Sequence, residues 1–231
     1  MKPEPSSATD FSTILGAAVH DMKNSLQLLL QSMSEVADEL GDTPAARSLA
    51  NIQYEAQRLN TGLIQLLSLY PNEHTALPLN LESQLVDELL EDLVADADFY
   101  AAHYGVEVDI DVASDLTWYL DKTLVSVLLQ DVLINALRYA SQRVRIRAFI
   151  EAAQLHVEVR DDGAGYPAEV IDRIARNVAG TEPTNTLLKA GRTGLGLYFA
   201  GRIASAHERK GQYGSIQLGN DRGGIFTLRL P

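Results

Sequence analysis

Four short stretches carry side chains that could do chemistry together. In Ala18-Val-His-Asp-Met-Lys-Asn-Ser-Leu26, His20 is followed directly by Asp21 and then by Asn24. On a helix, that spacing offers a nucleophilic imidazole, a proton acceptor and, one turn on, a water-positioning amide. Adjacent helix residues point about 100° apart, so Asp21 meets the imidazole only through a suitable rotamer. In Asp131-Val-Leu-Ile-Asn-Ala-Leu-Arg-Tyr139, Asp131 and Asn135 share a helix face. An amide oxygen is a hard ligand suited to Mg²⁺, which keeps water and phosphate oxygens as its other ligands, and Arg138 could reach a phosphate. In Val159-Arg-Asp-Asp-Gly-Ala-Gly-Tyr-Pro167, Asp161 opens a glycine-rich turn that lets backbone approach a ligand, and its carboxylate can accept from an exocyclic amine. Gly191-Arg-Thr-Gly-Leu-Gly-Leu197 is a loop opening a helix, where backbone N–H groups bind phosphate, although no Gly-Lys-Ser/Thr follows. Taken singly, each has a plainer reading: a surface histidine, a polar helix edge, a tight turn, a helix start. The functional reading rests on their order along one chain.

Those residues need elements to hold them. Ile14, Ala18, Met22, Ser25, Leu29, Met33, Val36 and Leu40 recur at spacings of three and four, an apolar stripe, while His20, Asn24, Gln27 and Gln31 fall on another face. Gly41-Asp-Thr-Pro44 ends this helix and starts a second, whose stripe runs from Leu49 to Tyr70. Such a two-helix hairpin covers only part of its apolar surface. Two copies would close a four-helix bundle; packing on the rest of its own chain would also cover it, and the homodimer is the expectation. Pro71–Pro78 reads as a linker. Beyond it, Leu81–Tyr104 has a helical period and Val106–Val112 and Thr117–Leu120 read as strands. Leu124–Ala140 is helical, Val144–Ile150 and Leu155–Val159 pair as strands, and Ala168–Asn177 is a helix. Val178–Thr193 has little periodicity and reads as a mobile loop, Leu195–Ala206 as a helix, and Ser215–Leu218 and Ile225–Leu230 as closing strands. The fold class is therefore α+β: a helical hairpin over residues 1–75, then an α/β sandwich over 76–231.

Bulk properties narrow the chemistry. The 231 residues carry a formal net charge of -12 and no cysteine. The acidity argues against sequence-independent nucleic-acid binding, and the missing thiols remove disulfides and cysteine nucleophiles. No apolar run approaches the roughly 20 residues that span a bilayer. Met1–Ser7 lacks the regions of a signal peptide. The expectation is a soluble, cytoplasmic protein; if it is a signalling protein, a separate sensor protein is a candidate source of its signal.

The four stretches in this order resemble the sensor histidine kinases of two-component signalling, over nearly the whole chain from Ser12 to Pro231. His20–Leu26 resembles the phosphoacceptor box, Asp131–Tyr139 the N box, Asp161–Gly165 the first glycine box and Thr193–Leu197 the second. The resemblance implies ATP and Mg²⁺ as cofactors, a homodimer formed through the hairpin, and a response regulator receiver domain as partner. It makes His20 the phosphoacceptor, Asp21 its proton acceptor or tautomer-fixing group, and Asn24 the water-positioning residue of a phosphatase reaction. Asn135 would hold Mg²⁺, Arg138 the phosphates and Asp161 the adenine amine. Gly163, Gly165, Gly194 and Gly196 would shape the pocket, with Asp131, Tyr139, Arg192, Thr193, Leu195 and Leu197 beside the nucleotide and residues 178–193 as the ATP lid. The chain departs from the family pattern in having Asp131 where asparagine is usual, no Phe from 166 to 192, Arg192 before the second glycine box, and no glycine pair after His207. Two rivals remain open at this level: a degenerate phosphorelay or docking protein, and a conformational ATPase with water as acceptor.

Overall fold

The computed structural model describes residues 79–176 and 194–231, with scattered positions between Met22 and Ala56. The chain divides into two compact units, Met1–Thr75 and Ala76–Pro231. Helical positions described in the first unit include Met22, Leu29, Met33, Val36, Leu49, Ile52 and Ala56. Met33 and Ala56 are buried, whereas Met22, Leu29 and Val36, seven residues apart in turn, are exposed. An apolar stripe thus stays uncovered within the single chain. His20, Asp21, Asn24 and most of the expected hairpin lie outside the described residues.

The second unit runs β1 (Glu82–Leu85), α1 (Val86–Tyr104), β2 (Glu107–Asp111), β3 (Thr117–Leu120), α2 (Lys122–Tyr139), β4 (Arg143–Glu151), β5 (Gln154–Asp161), α3 (Ala168–Arg176), α4 (Gly194–Ala206), β6 (Glu208–Arg209), β7 (Gln212–Tyr213), β8 (Ser215–Asn220) and β9 (Gly224–Leu230). It is an α+β unit built on a mixed five-stranded sheet of order β2-β4-β5-β9-β8. β2 and β4 are parallel; the other neighbours are antiparallel. Alternation sorts the two faces. Val144, Ile146 and Ala148 of β4, Val157 and Val159 of β5, and Phe226 and Leu228 of β9 are buried. α2 carries Val125, Leu128, Leu129, Val132, Leu133 and Leu137 into this core and packs on α1, α4, β4 and β5. On the opposite face Arg143, Arg145 and Arg147 stand beside Glu107, Asp109 and Asp111, with ion pairs of 3.2 Å for Arg143–Glu107 and 3.3 Å for Arg147–Asp111. These pairs are exposed and add little stability, but charges on the edge strand β2 discourage edge-to-edge association.

Two elements differ from the sequence expectation. The stretch from Leu81 does not begin as a helix: Glu82–Leu85 is a strand, paired antiparallel with Thr117–Leu120. The helix starts only at Val86, and Leu85 provides no side-chain cap, so nothing local marks the boundary. The small β6–β7 hairpin at Glu208–Tyr213 also lacks a periodic signal, because two-residue strands are too short to show one.

A buried clasp fixes the start of α2. Asp121 caps the helix by accepting from the Leu124 N–H at 3.0 Å, and its other oxygen accepts from the Asn80 N–H at 2.9 Å. Its own N–H donates to His207 Nε2 at 3.1 Å. Since Nε2 accepts, the ring proton sits on Nδ1, which donates to the Ile203 carbonyl at 2.8 Å. The ends of β3 and α4 are thereby tied together beneath the helix that carries Asp131 and Asn135.

Candidate nucleotide site

Three of the four stretches meet at one cavity of about 320 Å³. Its lining comprises Asp131, Val132, Asn135, Ala136 and Tyr139 from α2, Asp161, Ala164, Gly165, Tyr166 and Pro167 from the turn after β5, and Gly196 and Leu197 from the first turn of α4. The α2 residues follow the spacing of one helix face. Asn135 donates through Nδ2 to the Asp131 carbonyl at 2.8 Å, which fixes the amide and leaves Oδ1 as its ligand-binding atom.

The turn after β5 is gripped at several points. Asp161 Oδ1 accepts from the Gly163 N–H at 2.8 Å and the Gly224 N–H at 3.1 Å. Asp162 points the other way: its Oδ1 accepts from the Ser141 N–H at 2.7 Å and the Gln142 N–H at 3.0 Å, joining the turn to the segment after α2. The close approach leaves no room for side chains. A Cβ on Gly163 would lie 2.0 Å from the Tyr139 carbonyl oxygen, and one on Gly196 would lie 2.4 Å from Asp131 Oδ2. Gly165 has φ +78, and its Cβ would meet Asn220 Oδ1 at 2.7 Å, so both conformation and space require glycine there.

Two shifted acidities follow from this geometry. Backbone N–H donors, Gln142 foremost, hold the Asp162 carboxyl below its usual value. Burial, then the carboxylates of Asp161 and Asp131, push the Tyr166 hydroxyl upward, so it remains protonated and able to donate. For Asp162 the folded state favours the charged form. Its stabilisation is present above the unfolded value near pH 3.9 and is lost as the pH falls through the lower folded value. Urea midpoints followed by Trp118 fluorescence at pH 7 and pH 3 should therefore drop less for Asp162→Asn than for the wild type; equal drops would remove this contribution.

Of the residues singled out in the sequence, Asp131, Asn135, Tyr139, Asp161, Gly165, Gly196 and Leu197 line the cavity. Gly163 supports it from behind through Tyr139. Arg138 is exposed, its guanidinium 5.8 Å from the centroid of the Tyr139 ring, and is not part of the lining. Gly194 opens α4, and Leu195 lies in its first turn. Arg192, Thr193 and the 178–193 segment lie outside the described residues, as do His20, Asp21 and Asn24. Sequence reasoning missed Tyr166 and Asn220. Tyr166 was findable as the residue ending the glycine turn; Asn220 carries no local signal.

The residues present fit a nucleotide held with a divalent cation. Among the described residues, the carboxylates of Asp131 and Asp161 line the cavity and no lysine or arginine does, and a divalent cation would offset the repulsion between them and a polyphosphate. Among the described residues no group of three His, Asp or Glu side chains could hold one alone. The Asn135 oxygen, with phosphate and water completing the shell, is the fitting donor set. The N-terminus of α4, at Gly194, is where backbone N–H groups would be available to a phosphate.

Residues 120–231 match the family described as histidine kinase-, DNA gyrase B-, and HSP90-like ATPase. The chain is homologous to proteins named as sensor histidine kinases. It is 24% identical over 218 residues to the phosphate regulon sensor protein PhoR of Pseudomonas aeruginosa, covering 91% of this chain and 48% of that protein. It is 29% identical over 210 residues to the sensor protein QseC of Escherichia coli, covering 87% and 44%. The chain thus spans about half or less of these relatives. Full-length ShkA, solved in complex with AMPPNP, shares the fold with a TM-score of 0.64 at 20% identity, over 95% of this chain and 45% of that one. Among the described residues no helix is long and apolar enough to cross a membrane.

Proposed function

We propose that this chain is the kinase core of a two-component sensor: it binds ATP with Mg²⁺, phosphorylates itself on His20, and passes the phosphoryl group to an aspartate of a response regulator receiver domain. The observation that carries this reading is the convergence of α2, the Asp161 turn and the start of α4 on one cavity, in a chain that also carries the His20-Asp21 and Asn24 pattern. Asp161 Oδ2 accepts from the adenine amine while Oδ1 stays with the backbone. The α4 N-terminus binds phosphate, and Asn135 Oδ1 holds the cation. Mg²⁺, when bound, neutralises charge on the phosphates. A neutral His20 ring nitrogen attacks the γ-phosphorus, the bond to the β–γ bridging oxygen breaks, ADP leaves, and Asp21 takes the proton from the other ring nitrogen. Residues 1–75 serve as the phosphotransfer and dimerisation unit; the uncovered stripe of Met22, Leu29 and Val36 supports a partner copy. Asn24 positions water when the same protein dephosphorylates its regulator. The chain works in the cytoplasm.

The test is incubation of the full chain with γ-labelled ATP and Mg²⁺. An acid-labile, base-stable label on the protein supports the kinase. Release of phosphate with no protein label favours the conformational ATPase, for which Asp131 offers a carboxylate in the cavity. Neither label nor nucleotide binding favours the relay or docking protein. Asn135→Ala should weaken Mg²⁺-dependent ATP binding by roughly 10–100-fold, the range seen when support for a metal is removed; unchanged affinity by calorimetry would end its metal role.

A further inference from the structure

The hairpin between β8 and β9 reaches across the fold to the turn that carries Asp161. Asn220 ends β8 and meets Tyr166 with both atoms of its amide: the Tyr166 N–H donates to Oδ1 at 2.8 Å, and Nδ2 donates to the Tyr166 carbonyl at 2.8 Å, 54 residues away in sequence. A side chain here takes the place of a neighbouring strand, satisfying the donor and acceptor of one residue together. The same hairpin holds the other end of the turn. The Gly224 N–H donates to Asp161 Oδ1, and a Cβ on Gly223 would lie 1.9 Å from the Asp161 carbonyl oxygen. A Cβ on Gly224 would come within 3.1 Å of the Tyr166 ring. Asp161 and Tyr166, the two ends of the turn, both line the cavity. Their positions relative to each other therefore depend on one distant hairpin.

We propose that Asn220 is a positioning residue for base recognition: with Gly223 and Gly224 it clamps the Asp161–Tyr166 turn, so that the nucleotide base meets a carboxylate and a phenol held in fixed register. This rests on the nucleotide reading above. Asn220 is outside the cavity lining and acts through Tyr166 and Asp161. A base with an amine at the recognised position donates to Asp161; a base with a carbonyl there faces a carboxylate with no donor between them. Discrimination of that kind depends on a donor and acceptor held at hydrogen-bond distance, and it decays when the acceptor can swing away.

The experiment measures binding of non-hydrolysable ATP and GTP analogues with Mg²⁺ to the full chain by calorimetry, for the wild type and Asn220→Ala, alongside thermal unfolding. The expected result is a wild type that prefers the ATP analogue, and an Asn220→Ala protein in which the ratio of the two affinities falls about tenfold, the order that two lost hydrogen bonds carry. A merely structural role lowers the melting temperature and scales both affinities alike, leaving the ratio unchanged; that result overturns the proposal and leaves the nucleotide site standing. A wild type with equal affinity for both analogues overturns it as well. A wild type that binds neither overturns the nucleotide reading itself. Should Asn220→Ala fail to fold, Asn220→Asp carries the test. It keeps the acceptor for the Tyr166 N–H and sets an oxygen against the Tyr166 carbonyl, so the ratio should fall in part, and an unchanged ratio again overturns the clamp.

Discussion

His20→Ala should abolish the acid-labile phosphate label and leave nucleotide affinity unchanged. A neutral imidazole carries a lone pair on one ring nitrogen for attack. Alanine removes the nucleophile altogether, and water in its place would yield free phosphate, with no bond to the protein. The expected loss is complete within detection. The cavity is built from residues of α2, the Asp161 turn and α4, all within residues 131–197, so binding of an ATP analogue gives an internal control. Label retained in His20→Ala would send the search to another acceptor among His74, His103, His156 and His207. Two of these are poor candidates: His156 and His207 are buried, and both ring nitrogens of His207 are engaged.

Gly163→Ala should abolish nucleotide binding by a different route. The added Cβ would lie 2.0 Å from the Tyr139 carbonyl oxygen and 2.8 Å from its carbon. Both are backbone atoms at the end of α2, so no rotamer change relieves the clash; the turn or the helix end must move. Overpacking in well-ordered structure costs about 1–3 kcal/mol and more where the backbone cannot give, and this contact lies at the severe end. Any shift also disturbs the Gly163 N–H that donates to Asp161 Oδ1 at 2.8 Å and moves Tyr139, another cavity residue. Urea unfolding and calorimetry with an ATP analogue read the two effects. Gly219→Ala is the matched control, because a Cβ there meets nothing within 4 Å; it should bind like the wild type. Normal binding by Gly163→Ala would show that the turn and α2 can separate without harm.

Much of the second unit was legible because its elements bury one face each. The alternation of Val144, Ile146 and Ala148 and the helical period of Val125, Leu128, Leu129 and Val132 report which side meets the core. The turn joining β4 to β5 shows the opposite case. Ala152 and Ala153 occupy it with φ of 50 and 60, where Asn or Gly would have advertised a tight hairpin; the pairing of β4 with β5 imposes the geometry.

The sequence alone determined the candidate chemistry. Asp131, Asn135 and Tyr139 share a face because helix geometry converts spacing into direction, and the Asp161 turn and the Gly194 helix start follow from glycine's freedom and the bare N–H groups of a helix end. Only the tertiary structure decided what holds those groups still. The Asn220–Tyr166 pair, the Asp121–His207 clasp and the β1–β3 pairing join residues far apart in the chain. Local spacing carries direction only within one helix or strand; it carries nothing about which distant backbone donor or acceptor a fold will bring within 3 Å, since that depends on how all the elements pack at once.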